Sequence, residues 1–429
     1  MTMNDKIING IPIAGWRKSN WLWSLPLYLA CGVPYVTVFF TAIVFFNRMG
    51  LSNSAISFVS ALCFLPIALR PLLERVVVWY GTKRRWIILT ELVVIVAVEI
   101  LALALYSRFW LPISVFLLVA IVTAGEIHSV AIKYFYRLST VRRQRRASII
   151  IRTVMCLMSI AVLFALPAMV AGNLEVINRT IQSSWTAAFH IVSAIMLVLL
   201  IFHIVFLPHP VDMPSHSAWK SLQFRLKARI NLLARQNNML LVALFVFILP
   251  ESMFSRVVPL FLIDPGSNGG LSLSPQEIAL VLGTVGTFSL IIGIILGARA
   301  IRIQGLRRSF WPMALAITLP KALYIYLSYS FTSSLWLINS CMFVEQLCLG
   351  FGIMVYTTIV FEISSSSRAM FSHSFAISLI AFSIFLGSLI AGILEEYIGY
   401  RQFFIIVTLL GLPVLAAAHV FYSGKTNRL

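Results

Sequence analysis

The chain has 429 residues, of which 60% are hydrophobic and 11% are charged. Its mean hydropathy is +0.94. Soluble globular chains carry about a quarter charged residues, so this composition excludes an ordinary soluble domain and indicates a chain that lies mostly in a lipid bilayer.

Twelve apolar runs follow one another along the chain, each close to the roughly 20 residues that a membrane-spanning helix needs. The runs are continuous and do not alternate with a period of two, which argues against a β-barrel. The sequence therefore predicts an all-α polytopic membrane protein. The predicted spans 1 to 12 lie at about 21–46, 54–74, 86–106, 110–134, 148–172, 185–208, 237–262, 277–299, 309–330, 334–362, 370–394 and 401–422.

The net charge of +19 is explained by the distribution of basic residues across the membrane. That distribution predicts the orientation of the chain, and no nucleic-acid partner is needed to explain the charge. Most lysines and arginines fall in the two tails and in the loops on one side of the predicted membrane. The loops on the other side hold only Arg48, Arg108, Arg179 and Arg401. Because basic residues are retained on the cytoplasmic side, both termini are predicted to be cytoplasmic. The polar start of the chain shows no cleavable targeting peptide.

Two similar halves are indicated by repeated phrases. GLSNSAISFVSAL at 50–62 and GLSLSPQEIALVLGTV at 270–285 each open the second span of a half, and each such span ends in a basic loop. The predicted domains are a six-helix bundle at 1–208, a cytoplasmic linker at 209–236 with an amphipathic surface helix, and a second six-helix bundle at 237–429. Such a build is typical of the major facilitator superfamily, whose halves rock about a site at the membrane midplane.

Span 4 carries the stretch TAGEIHSVAIKYFY, in which three ionisable residues stand where lipid is expected. A charge at the bilayer centre costs at least about 2.5–3.5 kcal/mol, so these side chains should face a wet cavity or a partner. Glu126 and Lys133 share one face of the helix, about 10 Å apart along its axis. His128 points elsewhere, and a packing role competes there with a functional one. Lys133 is also close enough to the inner end to snorkel.

At the predicted cytoplasmic end of span 2, Arg70 and Glu74 are four residues apart and can pair on one helix face. We interpret them as a gate or loop anchor. The same role is assigned to the basic residues that follow, Arg75, Lys83, Arg84 and Arg85.

The second half contains four buried charges of its own. Glu251 directly follows Pro250 in span 7, where the proline predicts a kink or break that suits an ion or proton site. Arg256 can bind an anionic substrate or lie at the outer interface. Lys321 in span 9 needs a carboxylate or a substrate anion, and Glu345 in span 10 is the partner that we expect. In span 3, Glu91 and Glu99 are eight residues apart on one face of the helix. For both we favour a role in packing between helices.

Enzyme activity is not predicted, because the chain has no GxSxG, HExxH or P-loop sequence. Its five cysteines lack metal spacing and are interpreted as packing residues. We expect no metal and no cofactor. Without a nucleotide site the energy must come from an ion gradient, and Glu126, Glu251 and Glu345 favour protons, with sodium as the alternative.

Two phrases resemble AmpG-type muropeptide permeases, a group within the major facilitator superfamily. FLPIALRPLLERVVVWYGTKRRWIILTE at 64–91 is similar to that family's Pro-Leu-x-Asp-Arg phrase and its following basic run, with Glu74 at the acid. FVEQLCLGFGIMVYTTIVF at 343–361 is similar to its Phe-Glu-Asn-Leu-Cys-Gly-Gly-Met-Gly phrase, with Glu345 at the matching glutamate. The segment 371–404 has the layout of its last two spans.

Span 4 departs from that resemblance. The family carries a Gln-Asp-x-x-x-Asp-Ala-Trp phrase there, whereas this chain has Glu126, no aspartate and the added Lys133. The exchange of acid for base favours a more anionic cargo.

The sequence thus predicts a proton-coupled importer of a sizeable anionic solute such as a cell-wall fragment, acting as a monomer in the bacterial inner membrane. The alternatives are a permease for siderophores or other acidic metabolites and, in another class, a lipid-handling or sensing membrane protein that transports nothing. Its predicted substrate and proton pathway consists of Glu126, His128, Lys133, Glu251, Arg256, Lys321 and Glu345.

Overall fold

The computed structural model of the protein describes residues 20–140, 149–210, 238–330, 332–363, 369–411 and 413. Within these ranges every regular element is a helix and no strand is present. Over the described residues, each of the twelve predicted apolar runs is mostly helical. The predicted amphipathic linker helix, at about 219–234, falls outside the described residues.

Spans 1 to 6 form the N-terminal half. A proline removes a helical hydrogen bond and crowds the preceding turn, and two of these spans are irregular beside a proline. Pro34 lies just before the π-helical turn Thr37–Thr41 of span 1, and span 2 bends by 47° at the break before Arg70 and Pro71. The bounds are Asn20–Val36, Thr37–Thr41 and Ala42–Arg48 for span 1; Asn53–Leu62, Leu65–Ala68 and Arg70–Trp79 for span 2; Lys83–Ala104 for span 3; Trp110–Ser139 for span 4; Ile149–Ile160, Ala161–Ala165 and Leu166–Asn178 for span 5; and Ile181–Phe206 for span 6.

Spans 7 to 12 form the C-terminal half. Spans 8 and 9 are joined through Gly305, and spans 11 and 12 through Gly399, with little or no loop between them. At both glycines φ is positive, +79° and +77°, which is a conformation that residues with a Cβ rarely adopt. The bounds are Asn238–Ile263 for span 7; Pro275–Ile278, Ala279–Gly286 and Thr287–Thr318 for span 8 and the start of span 9; Leu319–Lys321 and Ala322–Ser330 for the rest of span 9; Leu335–Ile363 for span 10; and Ala369–Leu409 for spans 11 and 12.

Span 7 is one helix and is not broken at Pro250, contrary to the broken helix that its prolines suggested. An internal proline removes one helical hydrogen bond, and packing against neighbouring helices can compensate for the loss and let the helix continue. Span 11 contacts this part of span 7, where Ser383 donates a hydrogen bond of 2.9 Å to the carbonyl of Phe245.

Length and hydropathy support membrane insertion of most of these helices. Among the described residues nine helices are long and apolar enough to cross a membrane, or ten if the bent span 2 counts as one. The protein is therefore a polytopic helical membrane protein.

Close contacts between the two halves include two pairs of spans. Spans 2 and 11 touch near Ser57 and Gly392, and spans 5 and 8 touch near Ala165 and Gly283. We call the end marked by residues 79–83, between spans 2 and 3, the basic end. The other end, where span 1 meets span 2, is the opposite end.

Candidate functional site

Glu126 lies at the centre of a buried polar group in the N-terminal half. Arg70 reaches it from span 2 with Nη1 2.6 Å from Oε2, and the hydroxyl of Tyr35 on span 1 donates to Oε1 at 2.5 Å. Arg70 also donates to Ser129 at 3.1 Å. Both residues are buried, so they neutralise each other where isolated charges would be costly.

Glu74 belongs to a second group, nearer the basic end, which joins the two halves. It accepts from the hydroxyl of Tyr134 at 2.7 Å and lies 3.4 Å from Nζ of Lys133. Ser374 on span 11 also donates to it, and the nearby Ser378 donates to the carbonyl of Ala68. The expected ion pair between Arg70 and Glu74 is therefore wrong, since each residue pairs with a different residue of span 4, although both lie on the helix Arg70–Trp79.

In the C-terminal half, Lys321 pairs with Glu251. Its Nζ lies 3.1 Å from Oε2 of Glu251, while Oε1 accepts from Ser255 one turn along span 7 at 3.0 Å. Lys321 also lies 5.5 Å from the ring centroid of Phe254, a cation–π distance. The expected salt bridge between Lys321 and Glu345 is wrong, since the nearer carboxylate is on span 7.

Glu345 lies on the wall of a cavity of about 180 Å³. The cavity is lined by both halves, with Phe40 and Ile160 on one side and span 7, 8 and 10 residues on the other. Glu345 is 95% buried, and its Oε2 accepts from Gln346 at 2.9 Å. Ser255 and Thr287 add hydroxyls to the lining. This carboxyl group is therefore available to a proton or a ligand inside the bundle.

Arg256 crosses from span 7 to the N-terminal half. Its guanidinium carbon lies 5.9 Å from the ring centroids of both Phe39 and Phe64, two rings that stack on each other at 4.2 Å. Arg256 is 95% buried, and its Nε has no hydrogen-bond partner in the described residues. Of the two positions that the sequence allowed, the buried one is observed.

A group of polar side chains that the sequence reasoning missed closes the opposite end. Asp264, just after span 7, accepts from Asn47 at 2.5 Å, from Asn53 at 2.7 Å and from Tyr400 at 2.6 Å. Asn53 also donates to Glu395 at 3.0 Å. The repeated phrases at 50–54 and 270–274 were the available signal, since they place these loops at equivalent positions of the two halves. We call these five residues the clasp.

His128 is buried near three residues that were not predicted to be functional, namely Thr90, Glu91 and His203. It contacts Thr90 and Glu91 on span 3, and Glu91 in turn contacts His203 on span 6. Glu99 contacts His190 instead, with 2.8 Å between Oε2 and Nδ1. The two glutamates of span 3 thus lie on one side of the helix, as expected, but have separate histidine partners.

The predicted gate residues after Glu74 cluster at the basic end. Lys83 is buried, and Arg84 donates to the carbonyl of Ile204 at 2.8 Å. The backbone N–H of Arg85 contacts Thr82, which caps span 3. Arg75 is half-buried on span 2. These contacts anchor the loop between spans 2 and 3. Among the described residues no group of three or more His, Cys, Asp or Glu has the geometry to hold a metal ion.

No protein-family model matches the sequence, and no curated protein matches it. Solved structures do match in three dimensions. The nucleoside transporter NupG is similar with a TM-score of 0.64 at 17% identity, covering 95% of this chain and 100% of that one. A structure described as a proton dependent oligopeptide transporter gives 0.68 at 14% identity, covering 94% and 97%. The xylose transporter XylE from E. coli, in an inward open conformation, gives 0.65 at 12% identity, covering 92% and 93%. At these identities the likeness shows the fold: the chain is a major-facilitator-type helical bundle.

Proposed function

We propose that the protein is a secondary active transporter that imports a sizeable anionic solute together with protons. The observation that carries the proposal is the cavity between the halves, which is lined by Glu345 and lies beside the buried pair of Glu251 and Lys321. Charged side chains inside a membrane bundle are costly and mark substrate or ion pathways. Transporters of this fold place such sites between two halves.

The buried residues divide into two sets by charge. Glu126, Glu251 and Glu345 would exchange protons, whereas Lys133, Arg256 and Lys321 would hold the anionic cargo. His128 belongs to the proposed proton pathway. Arg70, Glu74, Arg75, Lys83, Arg84 and Arg85 would form a gate at the basic end, where Ser374 already bridges Glu74 to the other half.

The contacts between the halves at both ends of the bundle suit alternating access. Small-molecule sites usually measure about 300–1,000 Å³, which exceeds the cavity of about 180 Å³. The halves must therefore move apart before a sizeable solute can enter. The clasp at the opposite end and the Glu74–Ser374 contact near the basic end are the contacts that such a motion would break.

Cell-wall fragments of the muropeptide type are the first substrate class to test, on the resemblance of the phrases at 64–91 and 343–361. Siderophores and other acidic metabolites are the alternative cargo. A lipid-handling or sensing role is disfavoured by burial, because a lipid handler should present its charges to a lateral opening, whereas Glu126 and Lys321 are at least 98% buried. The proposed setting is the bacterial inner membrane, with a monomer and cytoplasmic termini.

The test is uptake of labelled anhydro-muropeptide and of ferric siderophores into proteoliposomes, with and without an inward proton gradient. We expect one of these cargoes to accumulate only with the gradient. Glu126→Gln should abolish the pH dependence, whereas Glu99→Gln, which changes a partly exposed glutamate on span 3, should not. Uptake and pH dependence unchanged in Glu126→Gln would remove Glu126 from the mechanism, and no gradient-driven uptake of any acidic solute would contradict the proposal.

A further inference from the structure

Three titratable side chains meet in the interior of the N-terminal half, apart from the cavity and its charges. Glu91 on span 3 lies between His203 on span 6 and His128 on span 4. Oε1 of Glu91 is 2.7 Å from Nδ1 of His203 and 3.7 Å from Nε2 of His128. We call these three residues the Glu91 triad.

The triad is sealed from solvent and lipid. Glu91 and His203 are fully buried, and His128 is 98% buried. Five of its polar atoms make no aligned hydrogen bond within the described residues: both carboxylate oxygens of Glu91, both ring nitrogens of His203 and Nε2 of His128. A buried carboxylate without compensating charge or hydrogen bonds is strongly disfavoured. Its charge must therefore be met inside the triad.

One contact of the triad lacks a hydrogen when both histidines are neutral and Glu91 is a carboxylate. Thr90 lies 2.7 Å from the carbonyl of Trp86, to which its hydroxyl donates in the manner usual for threonine in a helix. Its oxygen therefore accepts from Nδ1 of His128 at 2.9 Å. A neutral His128 then has no hydrogen on Nε2, so a lone pair faces the Glu91 carboxylate. With His203 neutral and donating from Nδ1, the contact between His128 and Glu91 still lacks a proton.

We propose that Glu91, His128 and His203 form a proton-binding site that holds one proton more than a carboxylate and two neutral imidazoles would carry. The extra proton makes both imidazole contacts to Glu91 attractive and brings the net charge of the triad to zero. Its ligand is the proton itself. The site is in the N-terminal half, separate from Glu251 and Glu345 in the other half.

Several other charged groups on the helices that pack around the triad are engaged with residues outside it. Arg84 on span 3 donates to the carbonyl of Ile204, the residue after His203. Among the described residues, the charged group in contact with His203 is Glu91. Further charged contacts seen among the described residues of spans 1 to 6 are those of Arg70 with Glu126, Lys133 with Glu74, Arg152 with Tyr28, Arg48 with Glu175, and His190 with Glu99.

The experiment observes the proton directly and needs no substrate, so its outcome is independent of the proposed function. The protein is labelled with ¹⁵N-histidine, reconstituted in liposomes and followed by solid-state NMR across neutral and mildly alkaline pH. Infrared spectroscopy of the same samples detects a protonated carboxyl group. The chain has 7 histidines, and His128→Asn and His203→Asn assign the two that matter.

We expect the wild-type protein at neutral pH to show either one imidazolium among the two triad histidines or a protonated carboxyl group. That signal should be lost in Glu91→Gln and kept in Glu99→Gln, the matched control, where only His190 should change. Two neutral triad imidazoles together with no protonated carboxyl group in the wild-type protein would overturn the proposal. If Glu91→Gln does not fold, a protonated carboxyl signal that persists in Glu126→Gln, Glu251→Gln and Glu345→Gln still supports the proposal, and one that is lost in any of them does not belong to the triad.

Discussion

Nζ of Lys321 on span 9 lies 3.1 Å from Oε2 of Glu251 on span 7, in a part of the bundle where both side chains are largely withdrawn from the surface. The pair holds together two helices of one half. Ser255 and Phe254 also contact the pair.

Removing one partner of the Lys321–Glu251 pair should lower the stability of the protein more than removing both. Lys321→Met leaves Glu251 as an unpaired buried charge, and the loss of one partner of a buried pair typically costs about 3–5 kcal/mol. Adding Glu251→Gln should recover most of that loss. Thermal unfolding of the purified variants in detergent measures the effect. A double variant no more stable than Lys321→Met would contradict the pairing.

Replacing Arg256 should weaken the binding of the cargo without lowering the stability of the fold. Its guanidinium is buried beside Phe39 and Phe64, so Arg256→Met should not lower the unfolding temperature. Loss of a charged hydrogen bond to an anionic cargo costs about 1.5–3 kcal/mol, or roughly a 10- to 100-fold weaker apparent affinity. Concentration-dependent uptake measures this. Arg302→Met changes an exposed arginine near the basic end and serves as the control; equal affinities in both variants would remove Arg256 from the cargo site.

The clasp should control opening at the end opposite the basic loops. Asp264 accepts hydrogen bonds from Asn47 and Asn53 across the interface between the halves, and Asp264→Asn removes the charge that strengthens them. Spin labels at Gln182→Cys and Ser267→Cys, with the native cysteines replaced, report the separation of the halves at this end.

We expect a longer-distance population to grow in Asp264→Asn relative to the parent. Glu277→Gln is the matched control, because Glu277 is at the same end but binds Ser274 within its own half. Unchanged distance distributions in both variants would show that the clasp does not hold the closed state.

Spans 8 and 10 should tolerate no side chain where their backbones cross. A Cβ added to Gly293 would lie 2.1 Å from the carbonyl oxygen of Leu347, and one added to Gly350 would lie 2.2 Å from that of Leu290. Backbone cannot move aside locally, so Gly293→Ala should destabilise the protein by about 1–3 kcal/mol or more. At Gly286 the nearest atom is 3.2 Å away, and Gly286→Ala should cost much less. Equal unfolding temperatures for the two variants would contradict this packing.

Hydropathy and charge alone determined the helical membrane class, since the cost of burying polar groups in lipid acts on each span separately and is readable from a run of 20 residues. The same reasoning located Glu126, Glu251 and Lys321 as charges that need partners. It also identified Arg256 as a charge that either binds an anionic substrate or lies at the outer interface.

Only the tertiary structure decided which partners those residues have. Lys321 pairs with Glu251 and not with Glu345, and Arg70 pairs with Glu126 and not with its helical neighbour Glu74. The clasp and the Glu91 triad were missed for the same reason. Ion pairs and hydrogen bonds act over a few ångströms, and that proximity is created by the crossing of helices far apart in the chain, which no local pattern of residues encodes.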